Sequence, residues 1–151
     1  HAKIAQGALA CDAPLNALAA RPPLPLEDNG TLDLGGRRVR FLATPHLPHG
    51  WDAGLMFEET DGTLFCSDLL GHVGDGPALA AGDVVGKALE TEAMFRSMSL
   101  TGDTIAGLQR LAALRPRTLA LMHGSSVAGN GGAVLGDFAR GIAARFLATS
   151  A

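Results

Sequence analysis

Two pairs of short strand-like runs, the first alternating apolar and polar side chains and the second apolar, are each bent back by a glycine-containing turn, and this pattern limits the possible folds more than any other feature of the chain. Thr31-Leu32-Asp33-Leu34 meets residues 37–42, where Val39 and Phe41 keep the alternation, across Gly35-Gly36. A period of two with a glycine pair at the bend predicts a β-hairpin, because glycine enters the positive-φ corners of tight hairpin turns without steric cost. Residues 53–58 and 63–67 are apolar, β-prone runs, and the Asp-Gly turn Glu59-Thr60-Asp61-Gly62 between them predicts a second hairpin. The apolar spacing then changes to three and four. Residues 87–98 and 103–114 read as helices, with Thr101 or Asp103 capping the second and Pro116 ending it. Residues 118–122 form an apolar strand, residues 129–132 a loop, and residues 133–148 a last amphipathic helix. Strands, then helices, then one strand and one helix predict an α/β layered domain with a mixed sheet and covering helices. Ahead of the hairpins, residues 2–6 read as a short strand and residues 7–20 as helix interrupted by Pro14. Arg21-Pro22-Pro23-Leu24-Pro25-Leu26 reads as an extended connector, since proline removes backbone donors and fixes φ.

The length of 151 residues suits one domain, and 47% apolar with 18% charged residues excludes a disordered chain. The net charge is only -3, and the pairs Arg37-Arg38 and Arg115/Arg117 are too short to form an electrostatic footprint, so no nucleic-acid partner is expected. No apolar run reaches the roughly 18 residues that cross a bilayer, and no charged-then-apolar leader is present. No membrane partner and a cytoplasmic location are the expectations. Cys11 and Cys66 have no neighbour at C-x-x-C spacing, which argues against zinc-finger chemistry and for small buried side chains in a reducing compartment. The chain opens without methionine at His1-Ala2-Lys3-Ile4, and the expectation is a fragment of a longer protein.

Three places carry chemistry. The loop His46-Leu47-Pro48-His49-Gly50-Trp51-Asp52, stiffened by Pro45 and Pro48, puts two imidazoles and a carboxylate between two strands. Leu64-Phe65-Cys66-Ser67-Asp68 is an apolar strand that delivers a carboxylate at its end. Leu121-Met122-His123-Gly124-Ser125 is a strand that ends in an imidazole followed by glycine. Each also fits a structural role: a surface histidine pair, a turn-forming aspartate, a satisfied core histidine. Together they suit a site at one rim of a sheet, with donors appropriate to zinc, iron or manganese. His72, in Gly71-His72-Val73-Gly74, is either a residue near that site or a surface histidine in a glycine-rich loop. Trp51 reads as a packing residue. Ser125 and Ser126 lack a G-x-S-x-G turn, and Gly129-Asn130-Gly131-Gly132 lacks the rest of a phosphate loop.

On these three motifs the chain resembles the metallo-β-lactamase superfamily along nearly its whole length. It is most similar to the flavodiiron-type, oxygen-binding branch, in which a histidine followed by x-Pro occupies the place of His46. The resemblance implies His46, Asp68 and His123 as metal ligands, with Asp68 bridging and a candidate for a catalytic part, and His49, Asp52 and His72 in supporting or substrate-contacting places. The family's main ligand motif, H-x-H-x-D-H or H-x-E-x-D-H, does not occur in these 151 residues. The resemblance therefore implies the C-terminal half of an αββα sandwich, a partial domain over residues 1–151 with an incomplete site for two divalent metals, zinc or iron. The function expected of the intact protein is that of a metal-dependent hydrolase acting on a small molecule, with this fragment inactive. One alternative is a diiron protein that binds dioxygen or nitric oxide; another is a non-catalytic binding or assembly module. Half a sandwich leaves apolar strands uncovered, so a homo-oligomer or association with the missing N-terminal part is expected.

Overall fold

Both hairpins expected from the sequence are present, and they start a single six-stranded sheet. The computed structural model describes residues 2–12 and 21–149. In chain order the elements are β1 (Ala5–Gly7), α1 (Ala8–Cys11), β2 (Leu24–Leu26), β3 (Thr31–Asp33), β4 (Arg38–Ala43), β5 (Gly54–Glu58) and β6 (Thr63–Ser67). Then follow α2 (Val84–Phe95), α3 (Gly102–Ala113), β7 (Thr118–Leu121), β8 (Val127–Ala128) and α4 (Gly131–Thr149). The large sheet runs β3-β4-β5-β6-β7-β8, and β1 pairs with β2 in a separate two-stranded parallel sheet. The strand and the extended connector read near the start become that small sheet. The helix expected over residues 7–20 is a single turn where it is described, and its remainder lies outside the described residues.

Local chemistry explains the elements. Gly35 and Gly36 have φ of 84° and 92°, and both amides donate to Asp33 Oδ1, at 2.8 and 2.7 Å. The turn is thus fixed from within. Asp83 starts α2 three residues before the apolar spacing suggests, its Oδ1 accepting from the Gly86 amide at 2.8 Å. Thr101 does the same for α3, accepting from the Thr104 amide at 3.2 Å. Such caps satisfy amides that have no partner within the helix. The pairing of β6 with β7 is parallel, which requires a long crossover, and α2 and α3 provide it.

Register divides the sheet into two faces. Leu42, Leu55, Phe57, Leu64, Cys66 and Leu119 are buried against the helices. Leu135, Phe138, Ala139 and Ile142 of α4 recur at the three- and four-residue spacing of one helix face and close that core with Leu108 and Leu111 of α3. Phe41, Met56, Phe65 and Ala120 are direct cross-strand neighbours on the opposite face. That face is only partly covered, and Phe65 is 48% exposed. The arginines of β4 are paired rather than free: Arg38 with Glu59, Arg40 with Glu59 at 3.0 Å, and neighbouring Arg37 with Asp61. Among the described residues no helix is long and apolar enough to cross a membrane.

Candidate metal centre

Because β6 and β7 run parallel, their C-terminal ends reach the same rim, and Asp68 and His123 follow those two ends. His123 Nε2 lies 3.2 Å from Asp68 Oδ1, and both side chains are open to solvent. The carboxyl ends of neighbouring parallel strands are where open α/β sheets bind ligands. The pair stands at the edge of a cleft of about 750 Å³ that also takes in His49, His72 and Glu92. Leu70, Ala88, Phe95, Met98, Met122 and Phe138 make most of its wall apolar. The volume falls within the range of small-molecule sites.

The two histidines of the 44–52 loop have opposite hydrogen-bond states. His46, in the left-handed region at φ 65°, uses Nδ1 to accept from the Trp51 amide at 3.1 Å, with Ser99 Oγ 3.3 Å away. A ring whose Nδ1 accepts carries its proton on Nε2, so this arrangement offers a metal no lone pair. His49 Nδ1 lies 3.3 Å from the Gly50 carbonyl oxygen, which can only accept. Its proton is therefore on Nδ1, and Nε2 keeps its lone pair, as ligating histidines require. His49 lines the cleft and His46 does not. The x-Pro pattern ranks His46 first from sequence, whereas the backbone hydrogen bonds and the cleft lining set His49 apart.

The other supporting residues separate. His72 is buried, with Nδ1 3.1 Å from the Leu70 carbonyl and Nε2 accepting from the Ser125 amide at 3.0 Å. It is a cleft residue, not a surface histidine. Asp52 lines a different cavity of about 290 Å³, beside Phe41, Gly54 and Met56 on the other face of the sheet. Trp51, expected to pack, is 70% exposed. Its φ of 73° turns the loop so that its amide serves His46. Cys66, two residues before Asp68, is buried on the helix side, and burial pushes its thiol up to about 12. A thiol held in that form is no metal ligand.

The segment after α2 was not anticipated as part of the site. Glu92 accepts from Ser97 Oγ at 2.7 Å and from the Met98 amide at 3.0 Å. The Ser97 carbonyl takes the Gly50 amide at 3.1 Å, Ser99 meets His46, and Thr104 donates to the Ser99 carbonyl. These bonds tie the histidine loop to the start of α3. Two of them, Gly50 to Ser97 and His46 to Ser99, join residues some fifty positions apart, which no local motif marks.

Asp68 and His123 supply two donors of the kinds that bind iron or zinc, and His49 adds a third along the same wall. Among the described residues, however, no three His, Cys, Asp or Glu side chains are gathered closely enough to hold a metal ion. This holds for Asp68 and His123 taken with His46 and equally for the two taken with His49. The donors fit the chemistry of such a site but do not complete it.

No protein-family model and no curated protein matches the chain. Among solved structures it is similar to a mutant flavo di-iron protein from Thermotoga maritima, with TM-score 0.74 and 19% identity over 92% of this chain and 35% of that one. It is similar to rubredoxin oxygen:oxidoreductase from the anaerobe Desulfovibrio gigas, with TM-score 0.74 and 17% identity over 91% of this chain and 37% of that one. It is also similar to the chemotaxis sensor ODP in a peroxy diiron form, with TM-score 0.70 and 19% identity over 93% of this chain and 59% of that one. The chain thus spans about a third of the first two proteins and less than two thirds of the third. Its mixed sheet and covering helices have the fold of flavodiiron and metallo-β-lactamase-like proteins.

Proposed function

We propose that this chain carries one side of a binuclear non-haem iron site that binds or reduces dioxygen, with His49, Asp68 and His123 as the ligands it contributes. The observation that carries the reading is the Asp68–His123 pair, 3.2 Å apart at the ends of adjacent parallel strands and at the edge of the main cleft. The diiron names of the structural neighbours favour iron and dioxygen over the hydrolytic, zinc-dependent reading. Two irons, once bound, would offer open coordination positions and two electrons, and reduction beyond two electrons, like each further turnover, would draw on a separate electron-donor protein. His46 closes its own loop in this reading, and His49 takes its place as ligand. Asp68 is a ligand rather than a proton carrier.

Further donors come from residues outside this sequence, which holds no H-x-H-x-D-H or H-x-E-x-D-H motif. In this reading the partly covered face of Phe41, Met56 and Phe65 is the surface on which such residues would pack. The 151 residues alone turn over no dioxygen. The test is iron content and oxygen consumption of the protein isolated from its native source. About two irons per chain, and a dioxygen-dependent absorbance change lost in Asp68→Ala and His123→Ala, are expected. Zinc as the only bound metal, with hydrolytic turnover, would overturn the reading.

A further inference from the structure

The loop that presents His123 is tied at its two ends, where the Met122 amide donates to the Ser67 carbonyl at 3.1 Å and the Ser126 amide to the Ala78 carbonyl at 2.9 Å, and between those ends it rests on His72. His72 Nε2 accepts from the Ser125 amide at 3.0 Å, and the His72 amide donates to the His123 carbonyl at 3.3 Å. The ring is anchored in turn, because Nδ1–H donates to the Leu70 carbonyl at 3.1 Å. Between the two bonded residues lies Gly124, with φ of 90°. A Cβ built there would stand 2.5 to 2.7 Å from three atoms of the His72 ring. The imidazole occupies the space a side chain at 124 would take. Gly76 repeats the device, since a Cβ there would meet Ser125 Oγ at 2.6 Å, while a Cβ on Gly71 would meet the Asp68 carbonyl oxygen of its own turn at 2.9 Å. Glycine at 76 and 124 therefore lets the 68–76 loop nest against the 123–125 loop, with His72 as the peg between them.

From this we infer that His72 is a positioning residue: its imidazole sets the 123–125 turn and so aims His123 at Asp68. It does not touch the metal itself. The inference rests on the proposed metal reading for its consequence but not for its geometry. A ring with both nitrogens engaged on fixed backbone partners holds the loop more firmly than side-chain packing alone.

The experiment reads the loop and the ligand separately. Hydrogen–deuterium exchange on the metal-free chain is expected to show the Ser125 amide exchanging about tenfold faster in His72→Ala, the loss of one buried hydrogen bond. His72→Gln, whose amide oxygen reaches the place of Nε2, restores most of the protection. His72→Asn, which keeps only the donor toward Leu70, does not. If His72→Ala fails to fold, the contrast between Gln and Asn decides. Cobalt(II) titration of the same proteins is expected to show affinity falling on the order of 10–100-fold in the Ala and Asn variants and recovering in Gln. Equal exchange at Ser125 in Gln and Asn, or a uniform rise along the whole chain in both, would overturn the inference. Cobalt bound by the unsubstituted chain and by Asp68→Ala and His123→Ala with equal affinity would instead count against the metal reading, and the exchange data would still decide the role of His72.

Discussion

Leu64 and Phe65 are adjacent on β6 and point to opposite faces of the sheet, so truncating each separates covered from uncovered surface. Leu64 is fully buried among Phe57, Leu119 and the helices, whereas Phe65 is 48% exposed beside Met56 and Ala120. Leu64→Ala removes buried methyl groups and leaves a cavity, for a loss of about 3 kcal/mol within a usual range of roughly 2–5. Phe65 buries about half of a side chain worth roughly 200 Å², or about 100 Å². At about 25 cal/mol per Å² that is at most about 2.5 kcal/mol. Alanine keeps part of that burial and no cavity forms at an open surface, which leaves about 1 kcal/mol. For a chain of this size 1 kcal/mol moves Tm by about 2–4 °C. Thermal unfolding followed by circular dichroism should then place Leu64→Ala roughly 6–12 °C below the parent and Phe65→Ala only about 2–4 °C below. Equal shifts in the 151-residue chain would refute the division into a covered and an open face. In a protein with a second sheet over Phe65, the Phe65→Ala shift should approach that of Leu64→Ala.

Glu58 provides a pH test. Its carboxyl lies below the ordinary 4.5, first because the Asp61 amide donates to it, then through Thr60 and the charge of Arg37. A carboxyl held low contributes stability that is present above its unfolded value and lost as pH falls through the folded one. Glu58→Gln should therefore flatten the acid limb between about pH 5 and 3, and an unchanged limb in urea denaturation would contradict the assignment. For Cys66, burial keeps the thiol protonated up to about 12, so an aromatic disulfide reagent at mildly alkaline pH should label one thiol in the folded chain and two after unfolding. Rapid labelling of both in the folded state would place Cys66 at the surface.

The hairpins, the crossover helices and the last helix were legible because their signals are local: Gly35-Gly36, Asp61-Gly62 and apolar spacing act within a few residues. The ends of β6 and β7 were legible for the same reason, and parallel pairing then brought Asp68 beside His123. β8, two residues inside a glycine-rich stretch, was missed because it exists only by pairing with β7. The difference between His46 and His49 lies in which ring nitrogen meets a donor and which a carbonyl, and the one loop that carries both shows no such difference until the Trp51 amide is in place. Asp52 is near the histidines in sequence yet faces the other side of the sheet, as alternation through a strand entrance permits. His72 was ambiguous because its partners, Leu70 and Ser125, are backbone atoms whose positions no side-chain pattern encodes.

Anomalous diffraction from crystals soaked in zinc, a redox-silent stand-in for iron, tests the centre most directly. A peak about 2.0–2.2 Å from both His123 Nε2 and a carboxylate oxygen of Asp68, with His49 Nε2 turned toward it, is the predicted result. Metal held by His46, with Asp68 and His123 unligated, would contradict it.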